Sequence, residues 1–351
     1  MPFAFDPALS AGLPQDLQPI EDRRDNPVRG RPTLFRLAQA NMLAYTFPDF
    51  VPGFAQSGIN LLPFPKLLGR PIENAMRYGQ QLYGRQFEVS SNQVAKVAGD
   101  IFQEVEAAIL WNAAARWNRF MAGQPWGQKP RYPAPSVRPD PKRQIAVIGL
   151  PRRYDWVRLL TPEASGWIDA LRKDLARHDL LLPTSTPDIM VTVLPPECRS
   201  SPEFSADIEN LGHKDRKRLR RAHLELEGRI EPGEIILAVA LKKSLRSDRL
   251  YQPLYEANIM QLLLEAKLGA PRVDFEVHTL ESAGTAARDT YRAASLAAVA
   301  TGNASPHRAI RDLYEPANAD ELVRRFYEFL NERTAGIALS ATATSGGAIR
   351  D

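Results

Sequence analysis

The chain has 351 residues, 44% hydrophobic and 25% charged, enough to bury a sizeable core as one large domain or a core with a smaller lobe. Its 45 Lys and Arg stand against 41 Asp and Glu, a net charge of +4 that by itself announces no nucleic-acid partner. The single cysteine, Cys198, excludes an internal disulfide or a thiolate metal site, and no apolar run is long enough to span a bilayer, so a cytoplasmic protein with no membrane partner is expected.

Residues 1–32 are polar, contain proline and lack periodicity, so an extended arm is expected. A main unit over 33–337 follows, opening with a helix near 33–45. A long helix is expected over 94–121, where Val94, Val97, Ala98, Ile101, Val105, Ala108 and Ile109 keep the spacing of a buried stripe. The prolines of 124–142 forbid regular structure and mark a linker or a long surface loop.

Short β-branched apolar runs at 144–150, 188–194, 234–242 and 273–280 predict buried strands. Helices are expected between and after them at 162–178, 206–224, 251–268 (closed by Gly269), 285–300 and 319–333. This alternation makes an α/β core on one central sheet. The small, polar residues of 338–351 read as a flexible tail. The tryptophans show no stacking-platform spacing and read as core or interface, and the five histidines include no pair at metal-ligand spacing.

Residues 214–221, KDRKRLRR, hold six Lys or Arg against one Asp. They read equally as a solvated helix face or as phosphate contacts, which set register on a duplex without reading sequence.

Two strands end in charge. Asp188 follows Pro187 at the mouth of one apolar strand, and Lys242 closes another that is apolar from Ile235 to Leu241. Read alone, these are a turn Asp and a Lys snorkelling from a strand end. Placed together, a carboxylate and an ammonium at the ends of buried strands call for partners, and a divalent metal and a phosphate would serve both. Beyond Lys242 come Arg246, Asp248 and Arg249, then a helix carrying Glu256. Two guanidinium forks can each pair with O6 and N7 of guanine, and a carboxylate can accept from N4 of cytosine. The competing reading is a helix N-terminus with an Asp near its dipole and two solvated arginines.

The spacing of Lys242, Arg246, Asp248, Arg249 and Glu256 resembles the signature of the CCGG-cutting restriction endonucleases related to NgoMIV, and among them the SgrAI-like enzymes. Segments 41–47, 96–102, 183–188, 244–258 and 260–271 carry the likeness along nearly the whole chain. The resemblance implies a restriction-endonuclease-like PD-(D/E)xK core, a central mixed sheet flanked by helices, with the catalytic core over 183–280. It implies a homodimeric type II enzyme, with assembly beyond the dimer left open, that cuts double-stranded DNA at CR^CCGGYG. The cofactor implied is Mg²⁺, with Mn²⁺ as a substitute, and the ends are 5′-phosphate and 3′-hydroxyl.

Residue by residue, the resemblance makes Asp188 a metal ligand, joined by the backbone carbonyl of Leu241, and makes Lys242 the group serving the attacking water. Arg246, Asp248 and Arg249 read the core, while Lys96 and Arg31 contact outer base pairs. Glu256 is the trailing acid of the family, or a structural partner for a recognition arginine. One position departs: Gln103 stands where an acidic ligand is expected on the long helix. An amide oxygen brings no negative charge, so metal affinity should fall, and a DNA-binding relative with weakened or lost cleavage becomes the alternative. Glu104 points about 100° away, whereas Glu106 and Asp100 lie on nearly the same face as position 103, one turn along and one turn back.

Overall fold

A computed structural model describes residues 63–66, 68–70, 72–73, 76, 89–127, 132–184, 186–199, 201–209, 211–245, 250–302 and 306–344, with side chains as far as 333. The expected arm and the helix near 33–45 lie outside the described residues.

The four apolar runs form strands β1 (Ile145–Gly149), β2 (Ile189–Val193), β3 (Ile235–Lys242) and β4 (Asp274–Thr279). A fifth, β5 (Asp312–Tyr314), completes a sheet of order β1-β2-β3-β4-β5. The pairings β1–β2 and β2–β3 are antiparallel, while β3–β4 and β4–β5 are parallel, so the sheet is mixed, as the sequence led us to expect. A parallel pair needs a crossover, and α4 (Tyr251–Gln261) with a π-helical turn at Leu262–Lys267 supplies it between β3 and β4. The crossover ends at Gly269, whose φ of 68° suits a glycine.

Helix α1 (Ser91–Met121) starts at a capping box, in which the Ser90 hydroxyl accepts from the Gln93 amide at 3.3 Å and the Gln93 side chain accepts from the Ser90 amide at 2.8 Å. It lies across β1 and also packs on β3 and the last helix. Every residue from Val105 to Trp111 is buried, Glu106 among them, so its middle is covered on all sides, as a central helix must be. Asn118 couples it to the sheet: its side chain accepts from the Ile145 amide at 2.7 Å and donates to the Ile145 and Phe204 carbonyls at 2.7 and 2.9 Å.

The remaining helices are α2 (Pro162–Ala176), α3 (His213–Arg221), α5 (Thr285–Thr290), α6 (Leu296–Ala300) and α7 (Ala319–Thr344). Several differ from the sequence reading. The helix expected over 206–224 forms only at His213, and the one expected over 285–300 is two short pieces. Tyr291 breaks the second by turning into the core, where its hydroxyl donates to the Leu250 carbonyl at 3.0 Å. Helix α7 continues to Thr344 through alanine-rich sequence of high helix propensity, into the stretch expected as a tail. The proline-rich segment is anchored, since Trp126 and Tyr132 are buried and both meet the Tyr327 ring on α7. Among the described residues no helix is long and apolar enough to cross a membrane.

Replacing Asn118 with Ala strips partners from three buried main-chain groups, each worth about 1–3 kcal/mol when orphaned. We expect Asn118→Ala to lower unfolding stability by about 3 kcal/mol or more in urea titrations. A loss below about 1 kcal/mol would show that water reaches the α1–β1 seam.

Candidate active site

The antiparallel pairing of β2 with β3 ends at Asp188, whose amide donates to the Val239 carbonyl at 2.9 Å. Two residues further along β3, the Leu241 amide donates to Asp188 Oδ2 at 2.7 Å. The carboxylate therefore replaces the next rung of the ladder. A strand residue sends its amide and carbonyl to the same side, so the Leu241 carbonyl faces the same gap beyond the end of β2. Lys242, half-buried, follows at the strand end.

Burial pushes the Asp188 carboxyl up to about 6. Lys242 and the Leu241 amide oppose this, and Glu256 and Glu106 add to it. Glu256 is buried on α4 and accepts from the Gln252 amide at 2.8 Å. The structure thus gathers Asp188, Leu241, Lys242 and Glu256 at one end of the sheet.

Gln103 reaches this region from behind. Its amide donates to the carbonyls of Leu150 and Asp188 at 3.2 and 3.1 Å, so it holds the Asp188 main chain rather than its carboxylate. Lys96 is exposed near the start of α1, about 10 Å along the helix from Gln103. Arg31, Arg246, Asp248 and Arg249 lie outside the described residues.

A second charged cluster escaped the sequence reading. Glu106 is fully buried, and its Oε1 meets His278 Nδ1 at 2.5 Å. His278 Nε2 meets Glu276 at 3.1 Å, and Glu276 pairs with Arg311 and Arg325, each at 3.3 Å. Burial alone would lower the His278 pKa, but the Glu106 and Glu276 carboxylates outweigh it and raise it to about 9. Burial likewise works against the Glu276 charge, and His278 with the two arginines holds the carboxyl below its usual range. Glu106 Oε2 is buried without a hydrogen-bond partner among the described residues. The available signal was Asp274, Glu276 and His278 at i, i+2 and i+4 on one face of a strand otherwise read as apolar. Of the other acids near position 103, Asp100 pairs with Arg152 at 2.7 Å and Glu104 pairs with Arg220.

The sequence model of the Cfr10I/Bse634I restriction endonucleases matches residues 48–332. The chain belongs to this family. It is therefore a type II restriction endonuclease, a DNA-cutting hydrolase of a family that works with divalent metal. Two solved structures share its fold. The Bse634I restriction endonuclease is 19% identical with a TM-score of 0.62, over 75% of this chain and 84% of that one. A crystal structure of type IIF restriction endonuclease Bse634I with cognate DNA is 18% identical with a TM-score of 0.64, over 86% and 94%. Comparison with curated proteins finds no match.

Two pH effects follow. A carboxyl raised to about 6 binds its proton more tightly in the folded enzyme, so its share of stability falls as pH climbs from about 4 to 6. Asp188→Asn removes that loss, and in EDTA at pH 7.5 the variant should be more stable by about 1–3 kcal/mol. Equal thermal melting of the two proteins at both ends of the window would refute the buried charge. The His278 contribution runs the same way in a higher window: it is complete below about pH 6.5 and disappears as pH rises toward 9. His278→Gln should flatten stability between pH 7 and 9, and an unchanged slope in denaturant titrations would contradict the ion pair.

Proposed function

We propose that the enzyme cuts duplex DNA within a palindrome carrying a CCGG core, of the form CR^CCGGYG, as a Mg²⁺-dependent homodimer. The observation that carries this reading is the Asp188 carboxylate held by the Leu241 amide beside Lys242 at the open end of the sheet. Support for the DNA partner comes from the relative that was solved with cognate DNA. The CCGG reading is supported by Arg246, Asp248 and Arg249, which follow Lys242 directly and carry the donors and acceptor that alternating G·C and C·G pairs require. Two equivalent sites facing two strands suit a symmetric dimer on a palindrome.

The residues fit a hard divalent cation. Glu256 and Glu106 each add negative charge at Asp188, although among the described residues no three acidic or histidine side chains stand together as a metal cage, and one Glu106 oxygen is buried without a hydrogen bond. The nearest opposing cation among those shifting Asp188 is Lys242 alone. Asp188 and the Leu241 carbonyl would hold the ion, since oxygen donors of this kind suit Mg²⁺, with Mn²⁺ as a substitute. When bound, the ion supplies Lewis acidity against the charge that develops on the phosphate.

The chain's own groups do the rest. Asp188, fixed through main chain and carboxylate together, keeps its geometry through the reaction. Lys242 Nζ, as an ammonium, donates a hydrogen bond that orients the attacking water and offsets phosphate charge, while the water's proton passes to solvent and the departing 3′ oxygen takes one from solvent. Attack in line with the 3′ oxygen breaks the P–O3′ bond, leaving a 5′-phosphate and a 3′-hydroxyl. Glu256, buried on α4 just after the segment that carries the recognition arginines, is the trailing acid of the site or a structural partner for one of those arginines. Lys96 and Arg31 contact the outer base pairs.

Gln103 favours a second reading, a binding-competent relative with weakened cleavage. Its amide is engaged by two carbonyls and brings no negative charge to the site.

Digestion of a plasmid bearing one CACCGGTG site, with Mg²⁺ or EDTA and fragment sequencing, separates the two readings. Cuts confined to that site and dependent on Mg²⁺ are expected, and tight specific binding without cutting would establish the second reading. Asp188→Asn should abolish cleavage while leaving binding intact. Arg249→Ala should cost about 1–3 kcal/mol of discrimination at the core, measured by competition against single-base variants. Unchanged core specificity would remove Arg249 from base readout.

A further inference from the structure

The chain that carries Arg246, Asp248 and Arg249 leaves the sheet at Lys242 and enters α4 after Leu250. Both of its flanks are held by the residues that follow β4. Before it, the Lys242 carbonyl accepts from the Leu280 amide at 3.4 Å, and the Lys243 carbonyl accepts from the Glu281 amide at 3.1 Å. After it, the Leu250 carbonyl accepts from the Tyr291 hydroxyl at 3.0 Å.

Tyr291 is anchored on both sides. Ahead of it, Glu315 accepts from the Ala283 amide at 2.9 Å and pairs with Arg288 on α5 at 2.5 Å, and Glu315 directly follows β5. Behind it, the Ser295 amide donates to the His307 carbonyl at 2.8 Å and the Ala309 amide to the Ala293 carbonyl at 3.0 Å. The side chain itself is buried. Burial and the nearby Glu256 carboxylate raise the Tyr291 pKa, which keeps the hydroxyl a donor at neutral pH. Its position is therefore referred to the sheet.

The start of α4 gains little definition from its own residues. Leu250 provides no side-chain cap, and Pro253 in the first turn has no N–H to donate. Further along, the Leu296 amide donates to Asn258 Oδ1 at 2.8 Å and docks the body of the helix on α6. The Tyr291 hydroxyl is the contact that fixes its first turn at the residue next to Arg249. Such fixing matters for base readout, because a guanidinium fork displaced by about 0.5 Å or more no longer makes both of its bonds well.

We propose that Tyr291 is a positioning residue for sequence recognition: by holding the Leu250 carbonyl against the sheet, it sets where Arg246, Asp248 and Arg249 meet the core base pairs. This rests on the reading of those three residues given above and extends it to a side chain that, being buried, touches no base itself. The same stretch of chain holds Lys242 and Lys243, so the lysine of the active site and the reading residues share one support.

The test is selection, in EDTA, from duplexes randomised across the site, with the full-length wild type, Tyr291→Phe and Tyr327→Phe. Phenylalanine keeps the ring in its place and removes only the hydroxyl. Tyr327→Phe strips a like bond, from the Tyr327 hydroxyl to the Ala113 carbonyl at 3.3 Å, out of the seam between α7 and α1, and so controls for lost stability. The wild type should select a CCGG core. Tyr291→Phe should select the same core with its discrimination against single-base core changes reduced about two- to tenfold, the worth of one hydrogen bond. Its affinity for random duplex should be unchanged, and Tyr327→Phe should discriminate as the wild type does.

A core preference in Tyr291→Phe as sharp as the wild type's would overturn the proposal. So would an equal loss in Tyr327→Phe, since that would reduce the effect to general loosening of the fold. A wild type that selects a different core refutes the CCGG reading alone, and the comparison with Tyr291→Phe on that core then decides the positioning role. A wild type with no preference refutes both.

Discussion

The hydrogen bond from the Leu241 amide to the Asp188 carboxylate determines how the rest of the site can be built. Asp188 already donates its own amide to Val239, so backbone pairing carries its Cα to a fixed place and the side chain then takes the next rung. A carboxylate held this way needs no flexible loop to aim it. The same register aligns Leu241 with His278 across the parallel β3–β4 pair, which links the mouth of the site to the charged interior of the sheet. Register is specified strongly here because a one-residue slip would turn every core side chain of β2 and β3 to the other face.

The buried chain from Glu106 through His278 and Glu276 to Arg311 and Arg325 is the other demanding feature. Exposed ion pairs contribute about 0–1 kcal/mol, so the many arginine pairs on the surface decide little. Breaking a buried pair costs about 3–5 kcal/mol, because the surviving charge has no water. The cluster joins α1, β4 and, through Arg325 and Asp312, α7 and β5. Its cost is tolerable only with its partners in register, so it specifies how α1 sits on the sheet. That orientation delivers Gln103 to the Asp188 carbonyl one turn before Glu106.

Much of this was legible in the sequence, for identifiable reasons. Strands β1 to β4 announce themselves through β-branched apolar runs, and Asp188 and Lys242 stand out because charge at the end of such a run needs a partner. The three residues of β5 carry no period to read, and the break at Tyr291 comes from a tertiary contact that local propensity ignores. The Glu106–His278 pair was invisible because its members are 172 residues apart and each looks like an isolated polar residue in an apolar stretch. Alternation of Asp274, Glu276 and His278 was the trace it left. The basic run at 214–221 was ambiguous for a good reason: Arg220 binds the Glu104 carboxylate and Arg218 donates to the Ala206 and Asp207 main-chain carbonyls, and sequence cannot say which arginines are taken up this way.

Position 103 shows how far geometry refines a reading made from residue type. The sequence comparison led to an acidic side chain there, and Gln103 then looked like a lost ligand. In the structure the side chain faces two main-chain carbonyls, Leu150 and Asp188, and both are acceptors. An amide satisfies them with its two N–H groups, whereas an ionised carboxylate would set oxygens against oxygens unless a cation or proton lay between. A glutamate at this position and a cation near the Asp188 main chain therefore require each other, while a glutamine lets the scaffold close without one. The substitution lowers the negative charge of the site but preorganises the Asp188 backbone.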